Sequence, residues 1–255
     1  MKVSEIKSFL DKEEIVILPP MDVFDSIRLL EQAGIHATCS ILDPWYNKGV
    51  GGELPLNEYD EFIESLLISA ANVSDVLYLW GFAEIIGPLV RSAPKNFQLT
   101  AWLTWYYKNC PSVIRGWRSS QNACLQFTRE NANLHPEHFL TGEQRKKFEE
   151  GKLRFVPGPT AVIEEPLIIG FVGKNERTGH PAQKPEAVFE RIVLMSTMPG
   201  EIVFDPMAGS GTTATVSQKN LRKAIVCDKS EEYISIIEKR TGKKRISLEK
   251  SRYRD

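Results

Sequence analysis

The 255-residue sequence has no apolar run approaching the roughly 18 residues of a membrane-spanning helix. Its Lys/Glu-rich start does not resemble a secretory signal. It also lacks an excess of charge, since 32 Lys and Arg stand against 33 Asp and Glu. A polycationic binder and a disordered acidic tail protein are therefore excluded, whereas nucleic-acid binding through one locally basic face is not. We expect a soluble protein of the cytoplasm.

Cysteine is scarce and forms no C-x-x-C motif. The four copies are Cys39, Cys110, Cys124 and Cys227. Three of them lie in apolar runs, where a free thiol behaves as a small hydrophobic side chain. His135 and His138 are close in sequence, but Pro136 lies between them and no Cys or His partners complete a ligand set. The sequence therefore predicts reduced thiols and no metal site.

Short apolar runs rich in β-branched residues alternate with stretches of helical spacing, a pattern typical of a parallel α/β fold. The predicted strands of the parallel part are 15–18, 37–42, 76–80, 201–204 and 223–227. The runs 97–107 and 123–128 predict an antiparallel pair. Helical spacing appears in 22–34, 56–71, 81–91, 184–198, 211–220 and 230–241.

One stretch differs from the rest in composition. Residues 131–158 are polar and charged, so we interpret them as a small insertion and not as part of the core. The basic segment 243–255 is predicted to form a tail. The remaining length suits one α/β domain, so we expect 1–255 to form a single domain.

A glycine-rich turn, FDPMAGSGTTA at 204–214, joins a predicted strand to a predicted helix. Gly209 and Gly211 let a ligand approach the backbone, and the helix start offers unpaired N–H groups. Asp228 ends the next predicted strand, where nucleotide-binding α/β folds place an acid for ribose hydroxyls. No Gly-Lys-[Ser/Thr] follows, so a phosphate-binding P-loop is not predicted. The turn indicates an adenosine-type cofactor without specifying which one.

The segment DPWY at 43–46 directly follows the predicted strand 37–42. Open α/β sheets bind ligands at the C-terminal ends of their strands. A carboxylate, a proline carbonyl and two adjacent aromatic rings suit a flat ring that bears an amino group. The aromatic rings would stack on such a ring, while Asp43 and the Pro44 carbonyl accept hydrogen bonds from its amino group.

Together these segments resemble the amino-directed DNA methyltransferases, which form N6-methyladenine or N4-methylcytosine. DPWY at 43–46 is similar to the family's Asp-Pro-Pro-Tyr motif, and 204–213 to its S-adenosylmethionine loop. HPAQKP at 180–185 and WYYKN at 105–109 resemble two further family elements. The catalytic-type motif precedes the cofactor loop, as in the β class of these enzymes. The resemblance extends from about residue 22 to residue 238.

The resemblance implies a Rossmann-like methyltransferase fold with a circularly permuted order of motifs. The implied sheet has seven strands and is mostly parallel, with one antiparallel strand. It also implies S-adenosyl-L-methionine as cofactor, double-stranded DNA as partner, and 131–158 as the target-recognition region. A homodimer, common in this class, is consistent with so short a recognition region. A bacterial or phage-encoded restriction-modification system is the implied setting.

The resemblance and the local composition assign roles to individual residues. The residues expected to act on the flipped base are Asp43, Pro44, Trp45 and Tyr46. Those expected to bind the cofactor are Asp22, Lys184, Asp205, Met207, Ala208, Gly209, Ser210, Gly211, Thr212 and Asp228. Those expected to contact DNA are Arg115, Trp117, Arg118, Arg145, Lys146 and Lys147. For Lys184 and for the cluster 145–147, an ordinary surface position explains the sequence about equally well.

Trp45 departs from the family pattern, which has a second proline there. It either narrows the base pocket or adds a stacking surface, so it bears on the substrate range. Asp43 favours N6 of adenine, because the cytosine enzymes more often have serine at that position. The alternatives are N4 of cytosine, a methyltransferase-like DNA-binding subunit without activity, and a nicotinamide-dependent oxidoreductase. RNA is a further substrate open to the same chemistry.

Overall fold

One mixed β-sheet organises the computed structural model, which describes residues 1–47, 52–110 and 116–249. Its strands are β1 (Ile15–Ile17), β2 (Ala37–Leu42), β3 (Ser74–Gly81), β4 (Phe97–Tyr106), β5 (Gln121–Arg129), β6 (Val162–Glu164), β7 (Ile202–Asp205) and β8 (Lys223–Val226). Their order across the sheet is β1-β8-β7-β2-β3-β5-β4-β6. Among these described strands only β5 runs antiparallel to its neighbours.

Helices cover both faces of the sheet. They are α1 (Ile6–Glu13), α2 (Val23–Gln32), α3 (Leu56–Val73), α4 (Ala83–Ile86), α5 (Gly142–Glu149), α6 (Glu186–Ser196), α7 (Thr212–Lys219) and α8 (Glu231–Thr241), with 3₁₀ turns at Val3–Glu5, Gly87–Arg91 and Pro136–Phe139. Side chains of β8 alternate between the two faces. Ile225 packs with residues of α1, α2 and α3, whereas Val226 packs with Ile234 and Ile237 of α8. No helix of the described residues is long and apolar enough to cross a membrane.

The direction in which successive parallel strands are added across the sheet reverses between β7 and β2. The chain passes from β7 to its neighbour β8 in one direction, and from β2 to its neighbour β3 in the other. Open α/β sheets leave a crevice at such a switch point, beyond the carboxyl ends of the strands. The fold therefore provides a ligand crevice between the ends of β7 and β2.

Most elements match the sequence-based expectation, including the antiparallel pair, which forms β4 and β5. The sheet has eight strands where seven were expected, because the three-residue β6 adds an edge beside β4. Only Ile163 of β6 is buried, so no apolar run marked this strand. The helix α1 was also not predicted, although its Ile6 and Leu10 are fully buried against the core.

The predicted insertion at 131–158 is attached to the end of α6. The His138 Nδ1 donates to the carbonyl of Leu194, at a distance of 2.7 Å. Leu194 lies eight residues beyond Glu186, the first residue of α6, which corresponds to about 12 Å along the helix axis. This part of the insertion therefore lies beside the last turn of α6, away from the helix end that begins next to Lys184. Residues 250–255 of the predicted tail lie outside the described residues.

The central strand β3 supplies a test of the core. Leu77 is fully buried, so Leu77→Ala should lower the free energy of unfolding by about 2–5 kcal/mol through lost burial and a residual cavity. Denaturant unfolding measures this change. Ile68→Ala on α3, where the side chain is 59% exposed, is the matched control and should change stability by less than about 0.5 kcal/mol. Equal losses in the two variants would contradict the observed packing.

Candidate active site

A cavity of about 440 Å³ opens at the carboxyl ends of β2, β7 and β8, a size typical of small-molecule sites. It brings together segments that are far apart in sequence. The lining residues include Asp22, Asp43, Pro44, Trp45, Tyr46, His180, Lys184, Asp205, Met207, Ala208, Gly209, Ser210, Thr212, Asp228, Lys229 and Tyr233. All of the predicted catalytic residues and all of the predicted cofactor residues except Gly211 thus line one cavity.

The glycine turn between β7 and α7 depends on the absence of side chains at two positions. Gly209 and Gly211 have φ values of +48° and +76°, in the left-handed region that favours glycine. A Cβ on Gly209 would lie 2.9 Å from His180 Nε2, and one on Gly211 would lie 3.0 Å from the side chain of Ile237. Asp228 fixes the turn from β8, since its Oδ2 accepts the N–H of Gly209 at 3.0 Å.

Asp205 shapes the beginning of the same turn. Its buried carboxylate accepts hydrogen bonds from the Thr213 hydroxyl at 2.5 Å and from the N–H of Met207 at 3.1 Å. Burial raises the pKa of Asp205 to about 7, although both hydrogen bonds lower it; the charges of Asp43 and Asp228 also raise it. The carboxyl group therefore changes protonation state near neutral pH.

The hydroxyls of Ser210 and Thr212 take part in bonds within the protein. Their oxygen atoms are 3.0 Å apart, and the Thr212 hydroxyl donates to the carbonyl of Lys184 at 3.2 Å. Arg240 of α8 donates to the Ser210 carbonyl at 3.0 Å and to the Thr212 hydroxyl at 3.1 Å. Arg240 was not predicted, because an arginine in the last turn of a helix is ordinary. Asp22 caps α2 by accepting the N–H of Phe24 at 2.9 Å.

A buried ion pair joins Lys184 to the DPWY segment. The Lys184 Nζ lies 2.6 and 2.5 Å from the two carboxylate oxygens of Asp43, and it also donates to the Tyr46 hydroxyl. The Tyr46 hydroxyl in turn lies 3.3 Å from Asp43 Oδ1. Lys184 is only 3% exposed. The alternative of an ordinary surface lysine is therefore wrong, and the ammonium faces Asp43 instead of an open part of the cofactor cavity.

The protonation states within this group follow from its contacts. Burial lowers the pKa of Lys184, but Asp43 and Tyr46 raise it by a larger amount. The pKa of Lys184 therefore lies above its ordinary value, and the ammonium stays charged. Burial and the charge of Asp43 raise the pKa of Tyr46 to about 12, and its hydroxyl stays neutral. The Tyr46 ring packs at 4.7 Å from Phe82.

Trp45 packs in a different direction from Tyr46. Its ring lies 5.1 Å from that of Tyr59 and 4.9 Å from that of Phe62, both on α3. Lys229 places its Nζ 5.5 Å from the Trp45 ring centroid. The indole therefore forms the α3 side of the cavity, next to the end of β8. The two aromatic rings of the motif contact separate clusters of side chains.

His180 and Tyr233 are among the lining residues that were not predicted as site residues. The Nδ1 of His180 accepts the N–H of Ala182 at 3.2 Å, and the imidazole packs at 4.4 Å from the ring of Tyr233 on α8. Burial lowers the pKa of His180, which favours the neutral ring. His180 belongs to the HPAQKP element, so a signal for it was present. Nothing in the sequence distinguished Tyr233 from an ordinary helix residue.

Those predicted DNA-binding residues that the structure describes are not on the cavity lining. Trp117 is 97% exposed and Arg118 is also exposed, both following β4 and preceding β5. Arg115 lies outside the described residues. On the insertion, Arg145 donates to the carbonyl of Glu137 at 3.2 Å and Lys147 pairs with Glu143 at 2.7 Å. Their role at DNA stays a prediction, as does that of Lys146.

Comparison with known proteins identifies similar chains. Residues 37–239 match the N6/N4 methyltransferase family model, which is described as DNA methylase. The chain is 48% identical over 214 residues to the DNA adenine methyltransferase YhdJ of Escherichia coli (strain K12), covering 76% of this chain and 72% of that protein. Two similar proteins named type II methyltransferases, from Lactococcus lactis subsp. cremoris and Streptococcus pneumoniae, are covered over only 53% and 52% of their length.

Solved structures share the fold at low sequence identity. The M1.HpyAVI–SAM complex has a TM-score of 0.67 and 20% identity, with 89% of this chain and 98% of that chain covered. The PvuII DNA methyltransferase, titled as cytosine-N4-specific, has a TM-score of 0.65 and 16% identity, with 92% and 90% covered. These likenesses show a common fold.

The raised pKa of Asp205 predicts a pH-dependent stability. Between its ordinary value of 3.8 and its native value of about 7, the native state holds a proton that the unfolded chain has lost. The contribution of Asp205 to the free energy of unfolding therefore falls as pH rises through this window. Asp205→Asn lacks this titration and should gain up to about 4 kcal/mol relative to wild type between about pH 4 and pH 7.

Denaturant unfolding at several pH values measures this difference between variant and wild type. Thr213→Val removes a hydrogen bond that lowers the pKa of Asp205. In this variant the pH range over which Asp205 affects the free energy of unfolding should therefore extend to higher pH. If the free energies of unfolding of Asp205→Asn and wild type differ by the same amount at every pH, Asp205 is not a buried carboxyl group that titrates near neutral pH.

Proposed function

The chain belongs to the N6/N4 family of DNA methylases, and we propose that it transfers a methyl group from S-adenosyl-L-methionine to N6 of a flipped adenine in double-stranded DNA. One observation carries the proposal: Asp43 and Pro44 line the same cavity as the glycine turn and Asp228. Family membership sets aside the nicotinamide-dependent oxidoreductase that the glycine turn alone had allowed.

The cavity residues fit the proposed cofactor. S-adenosylmethionine, when bound, supplies an electrophilic methyl group on a positively charged sulfur. The two oxygens of Asp228 each accept one backbone N–H, from Gly209 and from Ser230, and each keeps a lone pair for a ribose hydroxyl. Asp22, at the start of α2, is on the same lining. Gly209 keeps the turn free of a side chain beside the cavity.

The catalytic step requires a better nucleophile than a free adenine amino group. That nitrogen is weak because its lone pair is delocalised into the ring. Asp43 and the Pro44 carbonyl would accept its two N–H bonds and draw the nitrogen toward tetrahedral geometry, which localises the lone pair for in-line attack. No covalent enzyme intermediate forms on this route. The buried thiols of Cys39 and Cys124 are consistent with a route that has no cysteine nucleophile, because burial raises the pKa of both and makes them poor nucleophiles.

The target base must leave the duplex stack to reach Asp43. The ring of Tyr46 lines the cavity and offers an aromatic face, and stacking of a base on such a face contributes roughly 1–3 kcal/mol. Trp45 packs on the α3 side, beside Lys229. We therefore assign base stacking to Tyr46 and a wall of the cavity to Trp45.

Adenine is favoured over cytosine on two grounds. The motif begins with Asp43 and not with serine, and the similar YhdJ is named a DNA adenine methyltransferase. N4 of cytosine is the second candidate, since the PvuII enzyme shares the fold. An inactive DNA-binding subunit is disfavoured because Asp43, Pro44 and Tyr46 are all present on the cavity lining.

We further propose that the exposed loop with Trp117 and Arg118 contacts the duplex, and that 131–158 reads the target. Trp117 suits insertion beside the displaced base, while Arg118 suits the phosphate backbone. A homodimer would let two short recognition regions contact one site. The assignment of Trp117 and Arg118 rests on their exposure and on the charge of Arg118. The insertion is attached to the last turn of α6.

The role of Asp43 is tested with Asp43→Asn, which keeps the shape but removes the negative charge. Methyl transfer from labelled S-adenosylmethionine should fall by about 10²-fold or more, while the Kd of the cofactor changes little. Duplex substrates containing only adenine or only cytosine as acceptor distinguish N6 from N4 transfer, and an RNA duplex serves as a third arm. Asp60→Asn, at an exposed position on α3, is the control.

Retention of full activity by Asp43→Asn would show that the catalytic assignment is wrong. Transfer to cytosine alone would replace the adenine proposal with the cytosine one. Absence of transfer to every substrate, together with intact binding of S-adenosylmethionine and DNA, would support the inactive subunit.

The proposed DNA loop is tested by titrating a duplex at several salt concentrations. Arg118→Ala should reduce the slope of log K against log salt by about 0.9, as expected for one lost phosphate contact. Trp117→Ala should weaken binding by about tenfold with an unchanged slope. Arg28→Ala, a change at an exposed ion pair on α2, is the control. Unchanged affinity in both loop variants would exclude this loop from the interface.

A further inference from the structure

The ammonium of Lys184 is enclosed by the catalytic motif. Its nitrogen contacts both oxygens of Asp43 at 2.6 and 2.5 Å and donates to the Tyr46 hydroxyl. It also lies 5.1 Å from the ring centroid of Tyr46 and 5.3 Å from that of Trp80. An ammonium has three N–H donors, and three oxygen atoms of the DPWY segment are in place to accept them.

Lys184 is more deeply buried than its partner Asp43, and this difference matters for catalysis. The side chain of Lys184 is 2% exposed, whereas that of Asp43 is 20% exposed. A base entering the cavity therefore meets the Asp43 carboxylate before the ammonium. Each carboxylate oxygen has two lone pairs, so a contact with Lys184 leaves acceptor capacity for the amino group of the base.

We propose that Lys184 is a positioning residue that holds the Asp43 carboxylate oriented for the amino group of the target base. The proposal rests on the proposed function of this site. It assigns Lys184 to the catalytic carboxylate, where the sequence had suggested the cofactor. A hydrogen bond weakens when the acceptor is turned away from the donor. The contacts of Lys184 with both carboxylate oxygens restrict the rotation of the Asp43 side chain, so that its remaining lone pairs keep one direction.

Lys184 also connects Asp43 to the cofactor turn. Its carbonyl accepts the Thr212 hydroxyl at 3.2 Å, at the start of α7, while its side chain reaches Asp43 at the end of β2. Pro185 follows directly as the N-terminal cap of α6. One residue therefore fixes the position of the hydrogen-bond acceptor relative to the turn that would hold the methyl donor.

The other charged and titratable groups around the pair do not replace Lys184. His180, Asp205, Cys124, Tyr59 and Tyr107 interact electrostatically with Asp43 or Lys184. None of the five carries a permanent positive charge, and burial favours the neutral ring of His180. Among the described lining residues the other cation is Lys229, which lies over the Trp45 ring.

The test compares Lys184→Met with Lys184→Arg, since methionine preserves length without charge and arginine preserves the charge. We expect Lys184→Met to lower kcat by about 10²-fold and to change the Kd of S-adenosylmethionine by less than threefold. Lys184→Arg, which keeps a hydrogen-bonding cation beside Asp43, should recover most of the lost kcat.

A second measurement does not require activity. If Lys184→Met leaves Asp43 buried without a partner, the double variant Lys184→Met/Asp43→Asn should have a higher Tm than Lys184→Met alone. Lys219→Met is the matched control, because Lys219 has a 60% exposed side chain and pairs with Glu186, the first residue of α6. It should preserve kcat and cofactor binding.

Three outcomes would overturn the proposal. These are an unchanged kcat in Lys184→Met, a loss confined to the Kd of S-adenosylmethionine, and additive effects of the two substitutions on Tm. The second outcome would return Lys184 to the cofactor. Absence of methyl transfer in the wild type would instead refute the proposed function, whereas a non-additive Tm cycle would still support the ion pair.

Discussion

The alignment of four neighbouring parallel strands is the constraint on which the site depends. β8, β7 and β2 end at one edge of the sheet beside the acids Asp228, Asp205 and Asp43. The segment after β1 brings a fourth acid, Asp22 at the start of α2, to the same cavity. Like charges gathered in one cavity repel each other. The structure relieves this in three ways. Asp22 and Asp228 accept backbone N–H groups, Asp205 takes up a proton near neutral pH, and Asp43 pairs with the Lys184 ammonium.

These three solutions have different chemical consequences. Carboxylates that accept only N–H groups keep lone pairs for further donors, which suits hydroxyls of a bound nucleoside. A carboxyl group with a pKa of about 7 can stiffen the turn without adding a full charge. A carboxylate paired with a buried ammonium is fixed in direction, which suits an acceptor for an amino group. The environment of each acid thereby matches the role proposed for it.

The sequence predicted much of the sheet and both segments of the cavity, because strand ends and glycine turns leave local patterns. The pairing of Lys184 with Asp43 left no such pattern, since 141 residues separate them and the contact exists only after folding. Arg240 and Tyr233 were missed for the same reason. The strand β6 was missed because only Ile163 is buried, and edge strands with a single buried residue lack apolar periodicity.

The helix α6 links two parts of the molecule that the sequence had treated separately. Lys184 lies just before its first residue and bonds to Asp43, while the insertion bonds to Leu194 in its last turn. A packed helix transmits position along its axis because its backbone hydrogen bonds resist bending. The length of α6 therefore separates Asp43 from the part of the insertion around His138. Under the proposal that 131–158 reads the duplex, the displaced base would lie about one α6 length from this part of the insertion, and that separation would constrain which base of a recognition site is methylated.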